Sequence, residues 1–137
     1  MSGLILDASS ALCWCFEDED DSYVDELIDL VAADGALVPT IWPLEIANAL
    51  VVAERADRIT IPESASFLAL IQELPISIDS GAVSNVFGQT IDLARDHRLS
   101  SYDASYLELA VRTQLPLATL DVALGQAAKD LGIDAPL

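Results

Sequence analysis

Apolar residues in this chain follow two alternating spacings. Short apolar runs stand at Leu4–Leu6, Ala36–Pro39, Ile76–Ile78 and Leu117–Leu120, and between them apolar residues recur every three or four positions. The runs lack the period-two alternation of half-buried strands, so they read as strands covered on both faces. The intervening stretches read as amphipathic helices. One starts directly after Asp7. A second carries Val24, Leu27, Ile28 and Val31 and stops near Asp34-Gly35. A third runs from Trp42-Pro43 to about Arg55, with proline suited to the first turn. A fourth opens at Pro62, carries Phe67, Leu68 and Ile71, and ends near Leu74-Pro75. A single helix is predicted from Val83 to Arg95 with Val86, Phe87, Thr90, Ile91 and Ala94 on one face. Another holds Tyr106, Leu107, Ala110 and Val111, and the last holds Leu124, Ala127, Ala128 and Leu131, with Ile133 opening a short fifth strand. Strands alternating with helices predict an α/β fold, three layers α/β/α, around a mostly parallel sheet of four or five strands. With no linker, repeat or low-complexity segment, residues 1–137 read as a single domain.

Composition changes this picture in three ways. Hydrophobic residues make up 53% of the chain, but no run approaches the ~20 residues of a membrane span. Asp7 interrupts the first apolar run, so no secretory leader is read there. The apolar excess therefore predicts an interface with a second chain. Twenty-three acids against six Lys and Arg give a net charge of −17, which repels polyanions unless cations or local arginines intervene. Part of that charge is the run Glu17–Asp21, read as a solvated loop, and Lys129 is the only lysine. Cys13 and Cys15 have neither redox nor zinc spacing and read as small buried hydrophobes of a cytoplasmic protein. His97, the lone histidine, sits near a helix end where a cation suits the dipole.

The chemistry lies in four acids. Asp7 and Asp121 each follow a strand and begin a helix, while Glu45 and Asp103 fall in first helical turns, the latter three residues after Ser100. In an open parallel sheet, sites form where strands end and helices begin. Acids are also common there as helix caps. The company these four keep argues for more: Ser9 is two residues past Asp7, Asn48 is one turn past Glu45, and Thr119 is two before Asp121. Each is a small polar residue able to orient a carboxylate. Two carboxylates 4 Å apart repel by ~4 kcal/mol at an effective dielectric of about 20. Converging acids must therefore take up protons or bind a cation. With oxygen donors only, the fitting ions are Mg²⁺ and Mn²⁺, and metal-dependent phosphodiester cleavage follows as a reaction class.

The segments Asp7-Ala-Ser-Ser-Ala, Leu44-Glu-Ile-Ala-Asn-Ala-Leu50, Leu99-Ser-Ser-Tyr-Asp-Ala-Ser-Tyr-Leu-Glu-Leu-Ala110 and Leu117-Ala-Thr-Leu-Asp121 resemble, in order and spacing, the four motifs of PIN-domain ribonucleases. They look most like the VapC-type toxins of bacterial toxin–antitoxin pairs. The resemblance runs from Leu4 to Ala128. It implies a Mg²⁺- or Mn²⁺-dependent endoribonuclease, dimeric and inhibited by a small cognate antitoxin. Asp7 and Asp103 would then be direct metal ligands. Glu45 and Asp121 would complete the negative pocket and position water, with Ser9, Asn48 and Thr119 in support. The chain departs from such relatives after the fourth acid, where Val122-Ala-Leu-Gly-Gln126 stands in place of arginine or lysine.

Trp14, Phe16, Tyr23 and Trp42 read as core residues or as the walls of a groove for an apolar antitoxin segment, whose arginine could enter the acidic pocket. Three other readings stay open. A phosphoacceptor receiver would want adjacent N-terminal acids and a lysine at a late strand end, and a haloacid-dehalogenase-type phosphatase would want an acid where Ser9 stands. A non-catalytic PIN-like interaction module would fit the scarcity of basic residues.

Overall fold

β1 (Leu4–Leu6) is buried along its whole length, so it must be the centre of a sheet with helices on both sides. The computed structural model describes residues 3–16 and 21–135 and builds that arrangement. A four-stranded sheet runs in the order β3-β2-β1-β4, with β2 at Ala36–Pro39, β3 at Ile76–Asp79 and β4 at Leu117–Ala118. All three pairings are parallel; Ile5 stands opposite both Leu37 and Leu117, and Leu37 opposite Ser77. The helices are α1 (Ala8–Leu12), α2 (Asp21–Asp34), α3 (Trp42–Arg55), α4 (Ile61–Glu73), α5 (Val83–Asn85), α6 (Ile91–His97), α7 (Ser101–Thr113) and α8 (Val122–Asp130). α7 packs on β1, β2 and β4. Its buried Tyr106, Leu107 and Leu109 meet Ile5, Leu6, Leu117 and Val38 in the core. Gly35, with φ of +84°, ends α2 and turns the chain into β2 under the Pro75 carbonyl.

Three elements differ from the pattern in the sequence. β4 stops at Ala118, because beyond it backbone N–H groups bind side-chain oxygens: Leu120 N donates to Ser9 Oγ and Asp121 N to Thr119 Oγ1. A fifth strand does not form among the described residues; Leu117 makes a single bridge to Asp134. The Val83–Arg95 helix is broken by a π turn at Val86–Thr90, which contains Gly88, a weak helix former. The widened turn shifts the helical register. Thr90 is buried, while Val86 and Phe87 face solvent, Phe87 at 73% exposure.

Trp42 lies in the core, and Trp14, Phe16 and Tyr23 pack partly buried against it. The Arg58 guanidinium lies 4.0 Å above the Phe16 ring. Neither cysteine is in a disulfide; Cys13 is buried and Cys15 half-buried, and burial together with the charge of Glu63 pushes the Cys15 thiol further toward its neutral form. His97 is the last residue of α6, at the helix end expected from its spacing. The acid run Glu17–Asp20 lies outside the described residues, and Asp21 opens α2. Among the described residues no helix is long and apolar enough to cross a membrane.

Candidate functional site

The sheet order places β2 and β3 on one side of β1 and β4 on the other. The crevice beyond the carboxyl ends of β1 and β4 is therefore the topological switch point, where open α/β sheets hold their ligands. Asp7 follows β1 and Asp121 follows β4, and Asp7 N donates to the Ala118 carbonyl at 3.0 Å, which locks the two strand ends side by side.

Asp7 occupies the N-cap position of α1, yet its side chain makes no cap hydrogen bond. Instead the Ser9 hydroxyl donates to Asp7 Oδ2 at 2.7 Å and the Thr119 hydroxyl donates to the same oxygen at 2.6 Å. The directions are fixed by the loop after β4. Each hydroxyl already accepts a backbone N–H, Leu120 N at Ser9 Oγ (3.1 Å) and Asp121 N at Thr119 Oγ1 (3.0 Å). Its single proton is left for Asp7. Two hydroxyls and two amides thus aim one carboxylate that is 4% exposed.

Ser100 caps α7 by accepting Asp103 N at 3.0 Å. The reciprocal half of a capping box is missing. α4 shows the complete version, in which Glu63 reaches back to Thr60 N. The Asp103 carboxylate accepts no hydrogen bond from a described residue, and the charges of Asp121 and Asp7 both raise its pKa after burial does. Asp121 does cap its helix, accepting Leu124 N at 2.8 Å, while contributing that field. Glu45 reaches the site from the first turn of α3, its Oε1 accepting the Tyr106 hydroxyl at 2.5 Å.

Burial is the first cause that raises the pKa of Asp7, Glu45 and Asp103, and like charge adds to it: Asp121 on Asp7, and both Asp7 and Asp103 on Glu45. No arginine, lysine or histidine among the described residues forms an ion pair with any of the four. The four acids distant in sequence therefore share one electrostatic site without a protein cation. No group of three or more His, Cys, Asp or Glu among the described residues stands close enough to form a ready metal cage.

Two residues differ from their sequence reading. Asn48 is exposed and hydrogen-bonds none of the acids among the described residues. The buried stripe of α3 runs Trp42, Ile46, Leu50 and Ala53, and Asn48 lies on the far side of the helix from Ile46. The partner of Glu45 is Tyr106, which the sequence marks only as apolar face. The signal was available: Tyr106 is three residues past Asp103 on the same face, and a fully buried tyrosine must find its hydroxyl an acceptor. The Thr119 and Asp121 end of the site opens into a cavity of about 480 Å³ along α8.

No protein-family model and no curated protein matches the chain. Among solved structures it is similar to the crystal structure of PAE2754 from Pyrobaculum aerophilum, at 20% identity over 93% of this chain and 86% of that one, with a TM-score of 0.70. The likeness is one of fold.

Proposed function

We propose that this chain is a Mg²⁺- or Mn²⁺-dependent endoribonuclease of the PIN-domain kind, similar to VapC-type toxins. The observation that carries the reading is the set of four carboxylates at the switch point, three of them raised in pKa by burial and by their neighbours' charge, with no cationic partner among the described residues. The donor set consists of hard oxygens, which suits Mg²⁺ or Mn²⁺ over zinc or copper. The lack of a closed protein cage is compatible with Mg²⁺, which usually keeps several waters and uses one or two carboxylates.

Asp7 and Asp103 would hold the ion, which supplies Lewis acidity and neutralises the phosphodiester when bound. Ser9 and Thr119 fix the orientation of Asp7. Glu45 keeps Oε1 on Tyr106, and its Oε2, which has no described partner, is free to take a proton from an attacking water. Asp121 adds negative charge at the β4 side, where the ion must offset the repulsion between a chain of net charge −17 and RNA. The same reading brings a small cognate antitoxin and a second copy of the chain as partners. The exposed apolar side chains Val83, Val86 and Phe87 offer area for such a contact. It also implies a reducing cytoplasm, which suits two cysteines that form no disulfide.

The test is cleavage of single-stranded RNA beside a thermal melt. Mn²⁺ or Mg²⁺ at millimolar concentration is expected to raise the melting temperature by linkage and to support cleavage, and Asp103→Asn to diminish both. Intact RNA under both metals, with any antitoxin removed, overturns the enzyme. A melting shift that persists with intact RNA favours the interaction module. Thr119→Val keeps the volume but removes the hydroxyl that links Asp7 to Asp121 N. It is expected to leave the fold intact by circular dichroism and to weaken the Mn²⁺ midpoint roughly 10- to 100-fold.

A further inference from the structure

The cavity beside the acids has features that the metal chemistry does not use. Its floor is the end of β4 and its far wall is one face of α8: Val122, Gly125, Gln126 and Lys129, spaced at i, i+3, i+4 and i+7. Tyr23 lines it too, its hydroxyl held by Ser10 at 2.8 Å. Gly125 lies inside a nine-residue helix, where glycine is a poorer helix former than alanine. Protein packing does not demand it. A Cβ there would have only the Thr119 methyl within 4 Å, at an ordinary 3.7 Å. What a side chain at 125 would fill is the groove itself.

Charge decides what fits. The groove carries Asp121 and Asp134 against Lys129, so a phosphate is disfavoured in it. A neutral planar group suits it. Leu120 and Val122 at its mouth are exposed, Val122 at 87%, and give apolar contact. Tyr23 offers a ring, while Lys129, Asp134 and the Oε1 of Gln126, whose amide nitrogen donates to Asp130 at 2.9 Å, offer donors and acceptors for a base edge. At about 480 Å³ the cavity lies within the range of small-ligand pockets. We infer that this groove is a base subsite, which holds the nucleobase of a residue next to the scissile phosphodiester of a single-stranded RNA and sets sequence preference through Asp134 and Gln126. The inference rests on the ribonuclease reading for its substrate.

The probes are the four free ribonucleosides, which carry no phosphate for the acids to repel, titrated into ¹⁵N-labelled metal-free protein. Binding in the millimolar range is expected, with the largest shifts at the amides of Leu120, Gly125 and Gln126. Gly125→Leu should weaken it at least tenfold, and Asp134→Asn should change the ranking of the four nucleosides by threefold or more. Asp134 is exposed, so that second variant reports even if Gly125→Leu misfolds. Absence of shifts at those amides, or shifts indifferent to both variants, overturns the subsite. RNA cleavage is measured in parallel. Cleavage without nucleoside binding removes the subsite and leaves the nuclease, whereas nucleoside binding with RNA intact keeps the subsite and removes the nuclease.

Discussion

Replacing Asp7 by Asn is expected to stabilise the metal-free protein while abolishing RNA cleavage and the stabilisation by Mn²⁺. The native carboxylate is buried at 4% exposure among three other acids, with two hydroxyls but, among the described residues, no cation to compensate it. Asn keeps the geometry, since its Oδ1 can accept both the Ser9 and Thr119 hydroxyls, and removes the charge. Relief of about 1 kcal/mol corresponds to a rise of roughly 3–5 °C in a domain of this size. The effect has a defined pH dependence. Burial raises the Asp7 pKa in the fold above the ordinary aspartate value, so the folded state holds the proton more tightly than the unfolded chain. Wild-type stability therefore falls as pH rises from that ordinary value through the raised one, and the cost is complete above it. The advantage of Asp7→Asn should be largest at neutral pH and vanish in acid. Cleavage should fall roughly 10²–10⁴-fold, as for groups acting directly at a reacting centre. Calorimetry across pH with and without Mn²⁺ checks both halves. An Asn variant that melts lower than wild type at pH 7 without metal, or that still cleaves RNA, removes Asp7 from the proposed role.

The parts of this molecule legible in its sequence are those set by local chemistry. Leu4–Leu6 ends in Asp7, and Ser100 caps the helix that carries Asp103, as strand and capping rules require. The order of the strands was not legible, because pairing depends on contacts far apart in the chain, yet that order is what sets Asp7 beside Asp121. The π turn at Val86–Thr90 was missed because a register shift of one residue leaves no mark on a three-four pattern. The exposure of Asn48 is not legible, because spacing says which residues share a face but only the packed helix shows which face is buried, while the pairing of the Tyr106 hydroxyl with Glu45 joins residues 61 positions apart. Thr119 and Ser9 were found as neighbours of acids, while their convergence on a single Asp7 oxygen, 112 and 2 residues away, is a tertiary fact.

A contrasting acid shows how this chain treats a buried carboxylate when stability is at stake. Glu108, on α7 five residues past Asp103, has a side chain only 7% exposed and is clamped by Arg112: Nε lies 2.8 Å from Oε1, and Nη2 reaches 2.8 Å to Asp79 Oδ2 at the end of β3. The guanidinium joins α7 to the edge strand and is held fully charged by both acids, its pKa raised by hydrogen bonds to Glu108 and Asp79. Arg112→Met keeps much of the stem but strands Glu108 in the interior. Breaking a buried pair on one side costs ~3–5 kcal/mol, and the partial exposure of Arg112, at 37%, brings the expectation to about 2–3 kcal/mol. That corresponds to a fall of roughly 8–12 °C in melting temperature at neutral pH. Glu108→Gln combined with Arg112→Met should recover more than half of the loss, because the acid then left without the guanidinium is Asp79, whose side chain is 24% exposed and hydrated, rather than Glu108. The Mn²⁺-induced rise should survive in both variants, since neither residue belongs to the four-acid site. A loss below about 1 kcal/mol would mean that the clamp is a surface pair of ordinary weight. A loss of the Mn²⁺ response would mean that Arg112 shapes the site, and the separation between paired structural acids and unpaired site acids would not hold.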